Sequence, residues 1–428
     1  MDIFGNIESN VRSYCRSFPD LFTKAKGSKL VAASGKEYID FFAGAGALNY
    51  GHNNDFIKKQ VIDYIMGDGV IHALDMYTQA KKEFLVTFNE YILKPRKLNY
   101  KIQFPGPTGT NAVEAALKLA RKVKNRTGIF SFMGAFHGMS LGSLAVTSNS
   151  YHRKGAGIPL DNVTFIPYCN TFSNGFDSID YLTQILADSH SGVEKPAAII
   201  LETVQAEGGI NVAPVDWLQR LAELCRQEDI LLICDDIQVG CDRTGTYFSF
   251  ERAGIIPDIV ILSKSISGYG FPLSLLLIRP ELDIWQPGEH NGTFRGNQLA
   301  FVAGRAALEY RKNTSLSDEV RLKARLLESF LKEQIASIHR QIEIRGIGMI
   351  WGVDLSRCGE GDLAKEVARR CFELGLIIER VGRGDTVMKI MPPLNISRDE
   401  LMAGCQILGQ AIRETLSRKS ADGLKGAL

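Results

Sequence analysis

The chain has 428 residues and a formal net charge of +2, with 45% apolar and 23% charged residues, the composition of a globular protein with room for a large core and two or three domains. Near-balanced charge gives no reason to expect nucleic acid or an anionic membrane surface as a partner, and no apolar run reaches membrane-spanning length. The start, Met1 to Asn6, lacks the basic-then-apolar order of a signal peptide, and eight scattered cysteines read as free thiols, so a cytoplasmic protein is expected.

Residues 30–50 alternate strand-like and turn-like pieces, among them Glu37–Phe42, before the polar turn Gly51–Asn54. From 56 to 310, helical patterns alternate with apolar runs at 101–104, 128–132, 163–166, 197–201, 230–234, 259–262 and 273–278. That alternation predicts a large domain with a mostly parallel sheet and helices on both faces. Beyond Arg311 the spacing predicts a long amphipathic helix to about residue 338. Strands near 342–344, 350–354, 376–379 and 387–391 follow, around a helix at 363–374. The fold class is therefore α/β, with a smaller α+β domain built from residues 1–55 and 311–416. The small, polar stretch 417–428 reads as a mobile tail.

Two of the apolar runs end in chemistry. Ile230–Ile233 leads to Asp235 and Asp236, and Ile259–Leu262 leads to Ser263, Lys264 and Ser265. Buried parallel strands deliver such residues to the crevice at their carboxyl ends, where open α/β sheets bind ligands. A lysine that forms a Schiff base and a carboxylate that keeps a pyridine nitrogen protonated are what proteins contribute to pyridoxal phosphate chemistry. The turn Pro105–Thr110 runs into a helix with Val113, Ala116, Leu117 and Ala120 on one face, and amides at such a helix start suit a phosphate. Alone it reads more simply as a capped helix after a strand. Glu202 and Glu207 follow the run at 198–201, either as functional carboxylates or as turn residues. Phe136 and His137 follow the run at 128–132, where Phe136 by itself is more simply a core residue. The polar, glycine-containing segment Glu289–Asn297 has the look of a functional loop. No metal is expected.

Taken together, Leu232–Gly240, Arg243-Thr244-Gly245 and Pro257–Lys264 resemble the signature of class III (ornithine-type, fold-type I) pyridoxal-phosphate aminotransferases. The resemblance extends to Thr108-Gly109-Thr110, Phe136-His137-Gly138, Gln205–Gly209 and the Thr293 loop, in the family's order from about residue 20 to 400. Finer agreement in Glu8–Pro19, Phe41–Asn54, Gly106–Asn111 and Glu289–Asn297 is similar to the diaminobutyrate–2-oxoglutarate branch found in ectoine-type pathways. The resemblance implies pyridoxal 5'-phosphate held by Lys264, paired at its ring nitrogen by Asp235 and stacked by Phe136 beside His137. Gln238 would lie near the phenolic oxygen. Thr108, Gly109 and Thr110 would take the phosphate from one subunit and Thr293 from another, so a homodimer or higher homo-oligomer is implied. Glu202 and Glu207 would line the substrate side, with Lys389, Asn49 and Tyr50 as further substrate residues.

The implied reaction moves the amino group of L-glutamate to L-aspartate 4-semialdehyde, giving L-2,4-diaminobutyrate and 2-oxoglutarate. Alternatives are an ω-aminotransferase for ornithine or 4-aminobutyrate, an aminomutase or racemase on the same scaffold, or a dead homologue. Two departures stand out. Asp236 replaces the family's usual glutamate, and Lys389 stands where many relatives carry an arginine. Lysine cannot form a bidentate fork to a carboxylate, so how the glutamate α-carboxylate is held, and how Glu207 moves aside, stays open.

Overall fold

All seven apolar runs of the middle of the chain form strands of one sheet: β1 Lys101–Gln103, β2 Ile129–Phe132, β3 Val163–Ile166, β4 Ala198–Leu201, β5 Leu231–Asp235, β6 Ile259–Leu262 and β7 Leu275–Ile278. The structure, a computed structural model, describes residues 3–169, 171–172, 175–359 and 362–425. The spatial order is β1-β7-β6-β5-β4-β2-β3. Only β7 runs against the others, pairing antiparallel with both β6 and β1. The β-branched and leucine side chains that predict this sheet are its core: Ile259, Val260, Ile261 and Leu262 have no solvent exposure. Helices cover both faces, so strands need no polar side, and each such buried side chain contributes about 1.5–3 kcal/mol.

Helix α1, Gly109–Lys124, shows why one stretch folds as it does. Its buried residues Ala112, Val113, Ala116, Leu117 and Ala120 recur at helical spacing and lie against the sheet. Its last turn carries Arg121, Lys122 and Lys124, complementing the negative end of the dipole. Thr108 precedes it, with its amide donating to Asn111 Oδ1 at 3.2 Å, and fixes where the helix begins.

Two four-stranded sheets lie outside the central one. In the first, the strands at Phe22–Lys26, Lys29–Ala32 and Glu37–Asp40 are completed by Leu376–Ile377. In the second, Glu343–Ile347, Ile350–Asp354 and Val387–Ile390 are joined by Glu379–Val381. The expected strand at 376–379 is thus two strands serving different sheets. Its first half pairs in parallel with the amino-terminal segment, Leu376 opposite Ile39.

The long helix expected from 311 differs. A helix already runs Gln298–Asn313, across residue 310, and a second spans Leu316–Phe330. They are separated at Ser315, whose φ of 48° breaks the helical path. The last helix, Arg398–Lys425, continues through most of the stretch that reads as a loose tail, and residues 426–428 lie outside those described. Among the described residues no helix is long and apolar enough to cross a membrane.

Candidate active site

Asp235 and Lys264 sit at the carboxyl ends of adjacent parallel strands, because β5 and β6 pair in register from Ile233–Ile259 to Asp235–Ile261. Asp235 is buried. Its Oδ2 lies 2.7 Å from His137 Nδ1, and its Oδ1 accepts from the Ile237 amide at 3.2 Å. His137 comes from the turn after β2 and is fully buried. Burial alone would lower the imidazole's pKa, but the bond and charge of Asp235, with Glu202 behind, raise it. The ring's Nε2 has no partner among the described residues.

Lys264 is partly open to the crevice. Burial and the nearby Lys389 lower its amine's pKa, against the pull of Glu207 and Glu379. A φ of 51° holds Lys264 in the left-handed region, a conformation imposed by the structure around it. One restraint is Ser265, whose hydroxyl donates to the Gly46 carbonyl at 2.6 Å and accepts from the Asn49 amide at 3.1 Å. Another is Gly268 (φ 73°), where a Cβ would lie 2.3 Å from that of Ala307.

At the start of α1, Gly109 and Thr110 present amides that have no acceptor within the helix. The Thr110 hydroxyl is already engaged: it bonds Ser143 and lies 2.8 Å from Ser140 Oγ. Glu114 Oε1 organises the same cluster by accepting from the Gly142 and Ser143 amides at 2.9 and 3.1 Å. A phosphate there would meet backbone amides of α1 rather than a free threonine hydroxyl, and Thr108 itself is exposed. Gly138, with φ at 130°, lets the chain pass this cluster, since a Cβ would come within 2.5 Å of Thr110 Oγ1.

Glu202 is buried behind Phe136. Its Oε1 accepts from the Phe136 amide at 3.0 Å and its Oε2 from Ala206 at 3.3 Å. Burial pushes its pKa up to about 7. The Phe136 ring is half-buried and meets His152 edge-on at 5.9 Å. Asp236, beside Asp235, faces away from this group and accepts from the Ser249 amide at 3.1 Å. Gln238 Nε2 donates to Glu207 Oε1 at 3.1 Å and to the Ala45 carbonyl at 3.0 Å.

Glu207 is bound by Lys389, whose Nζ lies 2.6 Å from Oε1. Burial opposes ionisation, but Lys389 and then Lys264 hold its pKa down to about 2. Two residues that the sequence reading missed stand beside this pair. Glu379 Oε2 is 2.7 Å from Lys389 Nζ. Near it, the Tyr14 phenol is pushed up to about 12 by burial and by the Glu379 and Glu207 carboxylates. The signal for Glu379 is the first charge after the apolar run Leu376–Ile378, ten positions before Lys389, a lone lysine in the run Val387–Met391.

Asn49 and Tyr50 are corrected. Asn49 is 1% exposed, its Nδ2 donating to the Cys241 carbonyl at 2.9 Å and its Oδ1 accepting from Arg243 at 2.5 Å. Tyr50 is 2% exposed and packs edge-on against Tyr310. Both side chains are spent on packing. What this segment offers the crevice is backbone, because Ala43, Gly44, Ala45 and Gly46 all have positive φ and turn the Ala45 and Gly46 carbonyls toward Gln238 and Ser265.

Thr293 is exposed, on a loop whose Phe294 meets His72 edge-on at 5.4 Å. Its carbonyl lies 3.1 Å from His72 Nε2. Within one chain, then, contacts link Asp235 with His137, Phe136 with Glu202, and Glu207 with Gln238 and Lys389, while Thr108 and Thr293 are exposed.

Set beside known proteins, residues 13–412 match the model of the family described as aminotransferase class-III. The diaminobutyrate–2-oxoglutarate transaminase of Halalkalibacterium halodurans is 54% identical, with 98% of each chain covered. That of Streptomyces coelicolor is 53% identical, covering 97% of this chain and 98% of its own. Among solved structures, the ornithine aminotransferase of Toxoplasma gondii, with partial occupancy of PLP at its active site, superposes with a TM-score of 0.83 at 25% identity. The match covers 97% of this chain and 93% of that one.

Proposed function

The chain belongs to the class-III aminotransferases, and from that premise we propose that it transfers the amino group of L-glutamate to L-aspartate 4-semialdehyde, giving L-2,4-diaminobutyrate and 2-oxoglutarate. The activity of relatives more than half identical along nearly the whole chain carries this reading. The cofactor is pyridoxal 5'-phosphate, and the residues present fit it. A partly open lysine amine, a buried carboxylate on the adjacent strand end and exposed amides of a helix start converge on one crevice. Lys264 would hold its carbonyl carbon, Asp235 its ring nitrogen, Phe136 one ring face, Gln238 its phenolic oxygen, and Gly109 and Thr110 its phosphate.

When bound, the cofactor supplies an electrophilic carbonyl and a ring that withdraws electrons from the substrate carbon. The chain supplies the rest. Asp235 offers a charged acceptor whose direction is fixed by His137 and the Ile237 amide, which keeps a ring nitrogen protonated. Lys264 Nζ, with its pKa lowered, takes a proton from the substrate carbon and returns it to the neighbouring position, as a base tuned toward working pH can. Glu202 backs the Phe136 turn, and Glu207 with Lys389 faces the substrate. Because one cavity must accept an α-amino acid and a terminal aldehyde in alternate half-reactions, a ping-pong cycle is expected.

In 2-oxoglutarate-dependent kinetics, L-2,4-diaminobutyrate should be preferred over L-ornithine and 4-aminobutyrate. A higher kcat/KM for ornithine would move the substrate assignment and leave the reaction class standing.

The working assembly is proposed to be a homodimer, in the cytoplasm. Met66, Val70, Ile71, Leu74, Met76 and Tyr77 are all exposed, and Phe294 beside them is 70% exposed. Such an apolar surface marks an interaction site, and a second copy of the chain would cover it and bring Thr293 to the neighbouring phosphate site in a two-fold arrangement. Sedimentation of the active, cofactor-loaded protein should give a dimer or larger. An active monomer at assay concentration excludes a shared site. Supply of diaminobutyrate to a cyclic osmolyte of the ectoine type is the proposed place of this reaction.

A further inference from the structure

Glu379 and Lys389 stand directly opposite each other on neighbouring antiparallel strands, so their side chains leave the sheet on the same face. The Lys389 side chain has no solvent exposure, and its Nζ lies 2.6 Å from Glu207 Oε1 and 2.7 Å from Glu379 Oε2. The second contact is close but badly aligned, and Glu379 Oε2 is a buried oxygen with no hydrogen-bond partner of good geometry. Gln238 Oε1, 3.5 Å from Nζ, completes the surroundings of the ammonium. Two carboxylates therefore share one cation, and with both ionised the group carries one net negative charge beside Lys264 and Tyr14.

The consequence lies in what happens when Glu207 turns aside. In a simple glutamate–lysine pair, that movement frees a cation for the carboxylate of an incoming substrate. Here Lys389 stays neutralised by its cross-strand partner. Resting on the aminotransferase reading with a diamino acid as one substrate, we propose that Glu379 is a specificity-determining residue. It weakens the hold on a second substrate carboxylate and leaves the group with a net negative charge that favours a substrate ammonium. A dicarboxylate must compete with Glu379 for Lys389, whereas the second ammonium of a short diamino acid meets a group of net negative charge.

The test uses the cofactor-loaded enzyme and two separate readouts. The first is equilibrium binding of glutarate, a dicarboxylate with the carbon skeleton of glutamate and no amine to react. The second is the single-turnover rate with L-2,4-diaminobutyrate. Glu379→Gln should bind glutarate roughly tenfold tighter, the size expected for removing one partly screened charge, and should lose a similar factor in diaminobutyrate kcat/KM. Glu379→Asp, which keeps the charge, should retain the wild-type order of preference. Glu207→Gln should change glutarate binding by less than about threefold, since Glu379 still neutralises Lys389. Unchanged or weaker glutarate binding in Glu379→Gln overturns the proposal. If that variant does not assemble, a tenfold gain from Glu207→Gln alone overturns it equally. Should diaminobutyrate prove not to be a substrate, wild type and variants alike will fail to turn it over. The glutarate pattern would still report on Glu379, so the two failures are distinguishable.

Discussion

Lys264→Ala should lose the pH-sensitive visible band of a lysine-linked pyridoxal phosphate, and turnover should fall by about four orders of magnitude or more. The size of the effect follows from two roles on one atom. Lys264 Nζ is the covalent attachment and the base, and burial lowers its pKa from that of a free lysine. No neighbour can replace it. Lys389, the other amine in the cavity, has its pKa raised by Glu207 and Glu379 against the lowering effect of burial, and it is fully engaged with them. Phosphate and ring contacts do not depend on Lys264, so the variant should still bind the cofactor reversibly in an equilibrium titration. Near-normal turnover in Lys264→Ala would remove the assignment altogether.

Asp235→Asn should keep the cofactor and slow turnover by roughly 10²–10³-fold, the cost of losing one preorganised charge at the reacting centre. The shape is preserved, but the amide neither holds a ring nitrogen protonated nor offers His137 a charged partner across 2.7 Å. The companion variant Asp236→Asn should keep most of its turnover. Asp236 is buried, its pKa pushed up to about 7 chiefly by that burial, and its contact is the Ser249 amide rather than anything in the crevice. Absorbance and single-turnover rates of the two variants side by side decide between the neighbours. A dead Asp236→Asn with an unaffected Asp235→Asn would mean that the pair had been read in the wrong order.

Much of the site was legible because strands announce their own ends. A buried parallel strand needs apolar side chains on both faces, so the first polar residues after such a run mark where it leaves the sheet. That logic located Asp235, Glu202 and Lys264 before any contact was known. It does not reach Asn49 and Tyr50, which the resemblance implied as substrate residues. Their partners are Arg243 and Tyr310, some two hundred and more residues away, and no local pattern carries that distance. Thr110 was half legible. The helix start was evident, but the commitment of its hydroxyl to Ser140 and Ser143 depends on a turn thirty residues on.

By itself, then, the sequence determined the alternation of seven apolar runs with helices, the family, and the lysine and aspartate at the ends of adjacent strands. These depend on periodicity and on short segments whose burial is dictated by their own composition. Only the tertiary structure decided how the ends of the chain meet. The run at 376–379 splits between two sheets because Leu376 pairs with Ile39 while Glu379 pairs with Lys389. Strand pairing is a contest among distant partners, and its outcome is not written in either strand alone. The same holds for the charge of the cavity. The resemblance marked Glu207 and Lys389 but not Glu379, and only folding places two carboxylates within 2.7 Å of one buried ammonium. Electrostatic energy depends on separation in space and on exclusion of water, and neither quantity exists before the chain has folded.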